Sequence, residues 1–490
     1  MAKSQLRFKG RAKLKKAQNM QSRQIRCAMT SALILWTTIA LGGEPTRITV
    51  QPAVVGAEFQ GMGCGVQFYE GHITSLAARQ KNDRQNQLYD DMFAKVPTRY
   101  LLFGIRHDHS PKDNGSDPWN PTFDEKDFGY CEHLLAIAKA AKERRPDIEL
   151  LATPLTPPAW MKTNNAVGGG GQAKATLKPG FELKYAAFIW GFLAHMARHG
   201  APVKYVSIAN ECDWPHDQPG CSFTPEAYAD LFNIVGGYLE KMAVKYPDVP
   251  RAILFGPNTL SANTAAKTYL PALMRKAGRY VQVLAAHDYD PKGNRWGDMR
   301  RLAGDRPVWM TEWCARDKDD TPGQIRNAVE YGRAMHDAFN QGANAWMAYD
   351  WAYPPRNSGE ALIHVDWGND YTLTKPYWMF RQWALYLTPG MHVVQAAVPV
   401  SSRKTPADDV KPTAFLSKDD RTLVVHVVNV GDADASIILD VKGAWPKPPS
   451  RVRTSATQNI EELPVLPPSA GGHADTLSAR SMTTYRFESK

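Results

Sequence analysis

A (β/α)8 TIM barrel carrying a side β-sandwich is the fold this chain predicts, and three observations predict it. Between residues 57 and 390, eight short β-rich runs alternate with segments of helical period, and eight is the number that closes a parallel barrel. After Gly390 the helical period stops and strand-like runs take over. The 490 residues, 43% hydrophobic and 22% charged, exceed one small domain and supply core for a large one with an accessory module. The same composition excludes a disordered chain, a collagen and a polytopic membrane protein.

In chain order, the first segment is a basic leader. The 59 Lys and Arg outnumber the 49 Asp and Glu, a net charge of +10 that would suit an acidic partner. Residues 1–43 alone hold nine basic side chains and no acid, which leaves 50 basic and 49 acidic residues in 44–490. The body is therefore near neutral, and its charge gives no reason to expect a nucleic-acid partner. An uncharged stretch from Cys27 to Gly43, with Leu33, Ile34, Leu35 and Trp36 at its centre, ends in the small-x-small triplet Ala40-Leu41-Gly42. This pattern predicts a secretory signal peptide and a secreted or periplasmic body. The alternative is an uncleaved anchor through 27–43, since 17 uncharged residues are at the short limit for a membrane span. Met20 is an alternative start that would shorten the n-region to an ordinary length. Five cysteines follow the leader, with no CxxC spacing, so zinc ribbons and thioredoxin-like motifs are absent. Cys212 and Cys221 are spaced to close a short disulfide loop, with free buried thiols as the alternative.

The expected barrel spans 57–390, with strands near 58–66, 98–105, 148–154, 203–209, 251–256, 280–286, 306–312 and 343–350. Its helices carry start signals: Thr224-Pro225 precedes Tyr228, Leu231, Phe232, Val235, Tyr238, Leu239 and Met242 at helical spacing, and Thr321-Pro322 repeats the device before Ile325, Val329 and Met335. The sandwich is expected from 44–56 plus 391–490, with strands in 422–430, 435–441 and 481–487 and a Pro-rich surface loop over 445–468. Gly168 to Gly171 lacks the Gly-Lys-Ser/Thr ending of a phosphate loop and reads as a mobile loop.

In such a barrel the reactive groups sit at the C-terminal ends of strands. The fourth candidate strand ends in Asn210-Glu211 and the seventh in Glu312-Trp313, two carboxylates from opposite sides of one barrel mouth. Glycoside hydrolysis needs such a pair, a protonated acid for the leaving oxygen and an ionised partner at the anomeric carbon; at about 5–5.5 Å apart the partner is a nucleophile and configuration is retained. Asn210 is placed to hydrogen-bond the sugar 2-hydroxyl. The competing reading is two ordinary strand-end acids in salt bridges. His107-Asp108-His109 lacks a helix-spaced partner and reads as substrate contact or internal hydrogen bonding, not as a metal site. Asp317, Asp319 and Asp320 form an acidic loop, expected to be solvated and without calcium-loop spacing.

These residues resemble glycoside hydrolase family 30, which contains glucosylceramidases, xylanases and endo-β-1,6-glucanases, over about residues 46–490. Phe59-Gln-Gly-Met-Gly63 resembles the family's first barrel strand, and Thr156-Pro-Pro-Ala-Trp-Met-Lys-Thr-Asn164 its segment after strand three. Asn210-Glu211 is similar to the family's acid/base position and Thr311-Glu312 to its nucleophile position. His287-Asp288-Tyr289 resembles a His-x-Tyr after strand six, whose Tyr hydrogen-bonds the nucleophile. Residues 346–351 resemble the aromatic segment of strand eight, and 377–393 the return into the side sandwich. The resemblance implies a retaining enzyme with Glu211 as acid/base and Glu312 as nucleophile, a carbohydrate substrate, no metal, no cofactor, and no membrane span in the mature form unless the leader stays uncleaved. A non-catalytic carbohydrate-binding protein and a transglycosylase are the alternatives. Trp160, Trp313 and Trp351 are candidates to stack on sugar faces or, otherwise, to pack the barrel. The chain departs from the family in placing Leu101 or Leu102 where an Arg is common in strand two, with Arg106 a few residues on, and Cys212 where many relatives have Pro.

Overall fold

The computed structural model describes residues 44–489 apart from 291, 294, 400–405 and 467–470, so the leader expected at 1–43 lies outside the described residues. Strand β1 (Thr46–Glu58) comes first and belongs to the side sheet. The closed parallel barrel follows: β2 (Gly61–Val66), β3 (Tyr100–Ile105), β4 (Glu149–Pro154), β5 (Tyr205–Val206), β6 (Ile253–Thr259), β7 (Val283–His287), β8 (Val308–Trp313) and β9 (Ala345–Ala348). A three-stranded sheet, β10 (Asp350–Tyr353), β11 (Ala361–Asp366) and β12 (Asp370–Leu373), interrupts the return to the side sheet. The chain then adds β13 (His392–Ala397), β14 (Val410–Leu416), β15 (Thr422–Asn429), β16 (Ala435–Val441), β17 (Ser450–Thr454), β18 (Glu461–Leu463), β19 (His473–Leu477) and β20 (Ser481–Glu488). Among the described residues no helix is long and apolar enough to cross a membrane.

Alternation along the barrel strands divides the core into two layers. Tyr100, Leu102, Leu151, Phe255, Val283, Ala285, Trp309, Ala345 and Met347 point inward and fill the barrel, so its floor is packed side chain and not a pore. Their neighbours Leu101, Phe103, Leu150, Leu254, Leu284, Val308 and Met310 point outward into the helix layer. The helix Pro225–Lys245 shows why the periodicity forms helices here: the Thr224 side chain accepts from the Ala227 N–H, Pro225 opens the first turn, and Tyr228, Leu231, Phe232, Val235 and Met242 are buried.

At 321–322 the structure differs from the expected start. Pro322–Gln324 is a 3-10 turn, Gln324 adopts a left-handed φ of 64°, and the α-helix runs Ile325–Asn340. Asp319 accounts for the shift. It is buried, not solvated, and its carboxylate accepts from the N–H groups of Thr321 and Asn327.

The side module is one nine-stranded sheet in the order β18-β17-β20-β15-β14-β13-β1-β16-β19. It makes its sandwich by curling over itself: Ile48, Val50, Ile437 and Leu439 from one limb meet Ala414, Val425, Val427, Tyr485 and Phe487 from the other. Register breaks between β1 and β13, after Gln51 and after Val55, supply the bend. The Pro-rich stretch read as a loop contains β17 and β18, because Arg451, Val452 and Arg453 pair with both Glu461–Leu463 and β20. Phe59, Phe339, Phe415 and Trp383 interlock edge to face between barrel and sheet and fix the two together.

Candidate active site

The two glutamates meet at the barrel mouth through local departures from regular strand geometry. Ladder pairing in the fourth strand is confined to Tyr205 and Val206, shorter than the 203–209 the sequence suggests. The chain then leaves the ladder and turns at Glu211, whose φ of 45° lies in the left-handed region that a side-chain-bearing residue rarely adopts. The Glu211 N–H donates to the Asn258 carbonyl at 3.0 Å, which holds this conformation.

Glu312 depends on a bulge. Ala286 pairs with Met310 and His287 with Glu312, one step on β7 against two on β8, so Thr311 is the extra residue. Trp309 faces the barrel interior and Met310 the helices, and unbroken alternation would point Glu312 outward. With Thr311 inserted, Glu312 turns into the mouth and Trp313 takes the outward position. A matching bulge lies on β6, where Pro257 pairs with Ala285 and Thr259 with Ala286 around Asn258. The Asn258 Oδ1 accepts from Thr311 Oγ1 at 2.6 Å and ties the two bulges together.

His287 joins the carboxylates. Its Nδ1 is 2.8 Å from Glu211 Oε1 and 3.5 Å from Glu312 Oε1, and one oxygen of each glutamate lies within 4.8 Å of the other and of this nitrogen. Burial lowers the His287 pKa against the pull of the Glu312 and Asp213 charges, and Nδ1 shares a hydrogen bond with the Glu211 carboxyl. On the far side of Glu312, Gln67 Nε2 donates to Oε2 at 2.7 Å and Tyr289 OH to Oε1 at 3.1 Å. Gln67 itself is held by its backbone N–H on Asp350 Oδ2.

Both acids are raised above the usual carboxylate range, by different amounts. Glu211 is pushed up to about 8, chiefly by burial and then by the neighbouring Asp213 charge, with Arg316 opposing. Glu312 is pushed up to about 7; burial again leads, and His287, Gln67 and Tyr289 favour its ionised form. Glu211 therefore holds its proton to higher pH than Glu312. Two carboxyls with pKa values set apart are the arrangement from which acid and nucleophile are drawn.

The model for the glycosyl hydrolase family 30 TIM-barrel domain matches residues 90–364, more than half of the chain. The chain belongs to glycosyl hydrolase family 30. Similar proteins include the endo-1,6-β-D-glucanase neg1 of Aspergillus fumigatus, 21% identical over 443 residues that cover 82% of this chain and 86% of that one. The lysosomal acid glucosylceramidase of Mus musculus is 24% identical, covering 70% of this chain and 68% of its own. Among solved structures, the catalytic domain of xylanase C from Talaromyces cellulolyticus superposes with a TM-score of 0.70 at 18% identity, over 90% of this chain and all of that one. The fold is thus that of family 30, and the protein is a glycoside hydrolase.

Other residues singled out in the sequence fall in three places around this family 30 centre. Asn210 is half-buried beside Glu211, and its Oδ1 is enclosed with no protein partner among the described residues. Trp160 is half-buried, donates from Nε1 to the Ser110 carbonyl, and lines a groove with Asp113, Phe123 and Lys184 that includes neither glutamate. Trp313 and Trp351, candidates to stack on sugar, are buried in the core instead. Trp313 packs against Tyr331 at 4.9 Å on the helix side of β8, and Trp351 is fully buried between Phe93 and Phe380, so they are packing residues.

His109 is also structural. It is buried between Phe188 and Phe128, with both ring nitrogens on backbone carbonyls. Arg106 pairs with Glu70 at 2.7 Å and with Asp108. The Gly168–Gly171 run is tied down by backbone bonds to Gln218 and His216, and a Cβ on Gly169 would lie 2.4 Å from the His216 carbonyl oxygen. Buried Lys162 closes this contact by donating to the carbonyls of Val167 and Gly168. All five described cysteines are buried free thiols, Cys212 and Cys221 included.

Sequence reading did not find Gln67, Asp213 or Arg316. Gln67 follows the first barrel strand directly, so the strand-end rule that picked out the glutamates could have found it. Asp213 and Arg316 act through space on Glu211, and no local pattern marks them.

Proposed function

We propose that the chain hydrolyses β-glycosidic bonds by double displacement, with Glu312 as nucleophile and Glu211 as acid/base. The observation that carries this reading is the pair of buried carboxylates, one oxygen of each within 4.8 Å of the other, bridged by His287. An inverting enzyme needs about 6.5–9.5 Å between its carboxyls to admit a water, whereas about 5–5.5 Å suits direct attack. In the first step Glu312 Oε attacks the anomeric carbon while the Glu211 proton passes to the departing oxygen, leaving a glycosyl ester on Glu312. That ester consumes the Glu312 charge, so a like charge no longer opposes ionisation of Glu211 and its pKa falls. Glu211 then takes a proton from water, which attacks the anomeric carbon and frees Glu312. Tyr289 and Gln67 hold the nucleophile, and Asn210 meets the sugar 2-hydroxyl.

For the substrate we take a β-1,6-linked glucan first, because the fungal endo-1,6-β-D-glucanase matches this chain over 82% of its length. Export through the 1–43 leader is part of the same reading and fits a polysaccharide found outside the cell. The test is an NMR time course of the anomeric protons released from a β-1,6-glucan. Initial appearance of the β-anomer supports double displacement; initial appearance of the α-anomer refutes it. Release of sugar from a β-xylan and not from the β-1,6-glucan would reject the substrate while keeping the mechanism.

A further inference from the structure

A second cluster of ligating side chains lies on the flank of the barrel, away from the glutamates. The connection after β3 makes a 3-10 turn at Glu125–Phe128 that places Glu125 beside the last turn of the helix Glu182–Arg198. His195 and His199, four residues apart, share one face there. His195 Nδ1 is 3.1 Å from Glu125 Oε1 and His199 Nε2 is 3.5 Å from the same oxygen. One donor atom from each of the three residues lies within 4.8 Å of the others.

The hydrogen bonding of His199 orients its ring as a ligand would be oriented. Its Nδ1 is 2.8 Å from the His195 carbonyl, which can only accept, so Nδ1 carries the ring proton. The other ring nitrogen, Nε2, is turned toward the Glu125 carboxylate oxygen that His195 Nδ1 also faces. A metal-bound histidine commonly donates its other ring N–H to a backbone carbonyl, as His199 does.

Distances and support fit the same reading. Zinc bonded tetrahedrally at about 2.0–2.1 Å sets its ligand atoms about 3.3 Å apart, a value the separations of 3.1 and 3.5 Å bracket. His195 is held in place by stacking on Phe128, at 4.2 Å and 3° between planes. Glu125 and His199 are exposed, which leaves room for a water as fourth ligand.

We propose that Glu125, His195 and His199 form a binding site for a divalent transition-metal ion of the zinc type. Bound metal would clamp the post-β3 connection to the helix. That connection also supplies Ser110, which accepts from Trp160, and Asp113, which pairs with Lys184, so the clamp braces one wall of the Trp160 groove.

Glu211, His287 and Glu312 also bring three donor atoms together, so the test is made on the full chain carrying Glu211→Gln and Glu312→Gln. Calorimetric titration with Zn2+ at pH 8 should give one saturable site, and Co2+ should give the intense visible bands of a tetrahedral ion. Both signals should vanish on adding His199→Gln or, separately, Glu125→Gln. In the Glu211→Gln, Glu312→Gln background, Zn2+ at a hundredfold excess over Kd should raise Tm by about 3 °C and His199→Gln should abolish that rise, and in otherwise wild-type protein His199→Gln should leave metal-free hydrolysis unchanged. Absence of saturable Zn2+ binding, binding that survives both substitutions, or a weak octahedral Co2+ spectrum would overturn the proposal.

Discussion

Replacing Glu211 by Gln tests the proton assignment at its most specific point. The amide keeps the size of the side chain and an oxygen to accept from His287 Nδ1, now 2.8 Å away, but it removes the acidic proton. With Glu211 at about 8 and Glu312 at about 7, the productive pair is Glu211 protonated with Glu312 ionised. That pair is most populated between the two values, near pH 7.5, and gives a bell-shaped kcat/KM profile whose limbs belong to the coupled pair. General acid catalysis contributes about 10²–10⁴ in rate, so hydrolysis of a β-1,6-glucan at pH 7.5 should fall by that factor, or about 2.7–5.4 kcal/mol in activation free energy. A 2,4-dinitrophenyl β-gentiobioside needs no protonation of its leaving group. The variant should cleave it with a burst, because ester formation survives while water attack has lost its base, and kcat/KM for this substrate should lose its basic limb. Retention of activity on the glucan to within tenfold, or a basic limb near pH 8 that persists in the variant, would refute the assignment.

The same variant makes a stability prediction. A carboxyl whose pKa is raised by folding stabilises fully below its unfolded value, and that contribution is lost as pH rises through the folded value. The stability of Glu211→Gln relative to wild type, measured by denaturant titration, should therefore climb from about pH 4.5 to about pH 8 and then level, a total rise of up to about 5 kcal/mol. Asp213→Asn removes a charge that raises Glu211, so the basic limb of kcat/KM should move to lower pH, and an unmoved limb would deny that coupling. Tyr289→Phe deletes a hydrogen bond to ionised Glu312; kcat/KM should drop about ten- to hundredfold and the acidic limb should move up. Trp351→Ala should cost about 3–5 kcal/mol of stability with KM unchanged in the folded protein, and a raised KM at unchanged Tm would return Trp351 to the sugar site.

Much of the barrel was legible because its signals are local and repeated. Strand runs flanked by helical periods survive in any single sequence, and the strand-end rule then isolates Asn210-Glu211 and Glu312 without knowledge of contacts. The misreadings share a different cause. Trp313, Trp351 and Asp319 look the same in sequence whether a neighbouring element covers them or solvent does, and here Tyr331, Phe93 with Phe380, and the turn at Thr321 cover them. The glycine run at 168–171 owes its composition to another segment, 216–218, pressed against its backbone, which no local pattern shows. The His195-x-x-x-His199 spacing was present on a helix, but its third member, Glu125, comes from a turn about 70 residues earlier and only the fold brings it near.

The bulges explain why strand periodicity alone could place the glutamates at the mouth yet not orient them. Counted strictly from Trp309, Glu312 belongs to the helix-facing set and Trp313 to the barrel interior, an arrangement that would bury a carboxylate among Tyr331 and Trp346. Inserting Thr311 exchanges the two assignments, and its hydroxyl finds a buried acceptor in Asn258, itself the extra residue of β6. Asn tolerates the left-handed φ of 59° that this position takes, and its carbonyl then receives the N–H of strained Glu211. One asparagine therefore supports the nucleophile strand through its side chain and the acid/base turn through its backbone. The spacing of the two carboxylates is set by this shared support beneath them. Loss of the Asn258 side chain should loosen Glu312 more than Glu211, because the bond to Glu211 uses only the main chain.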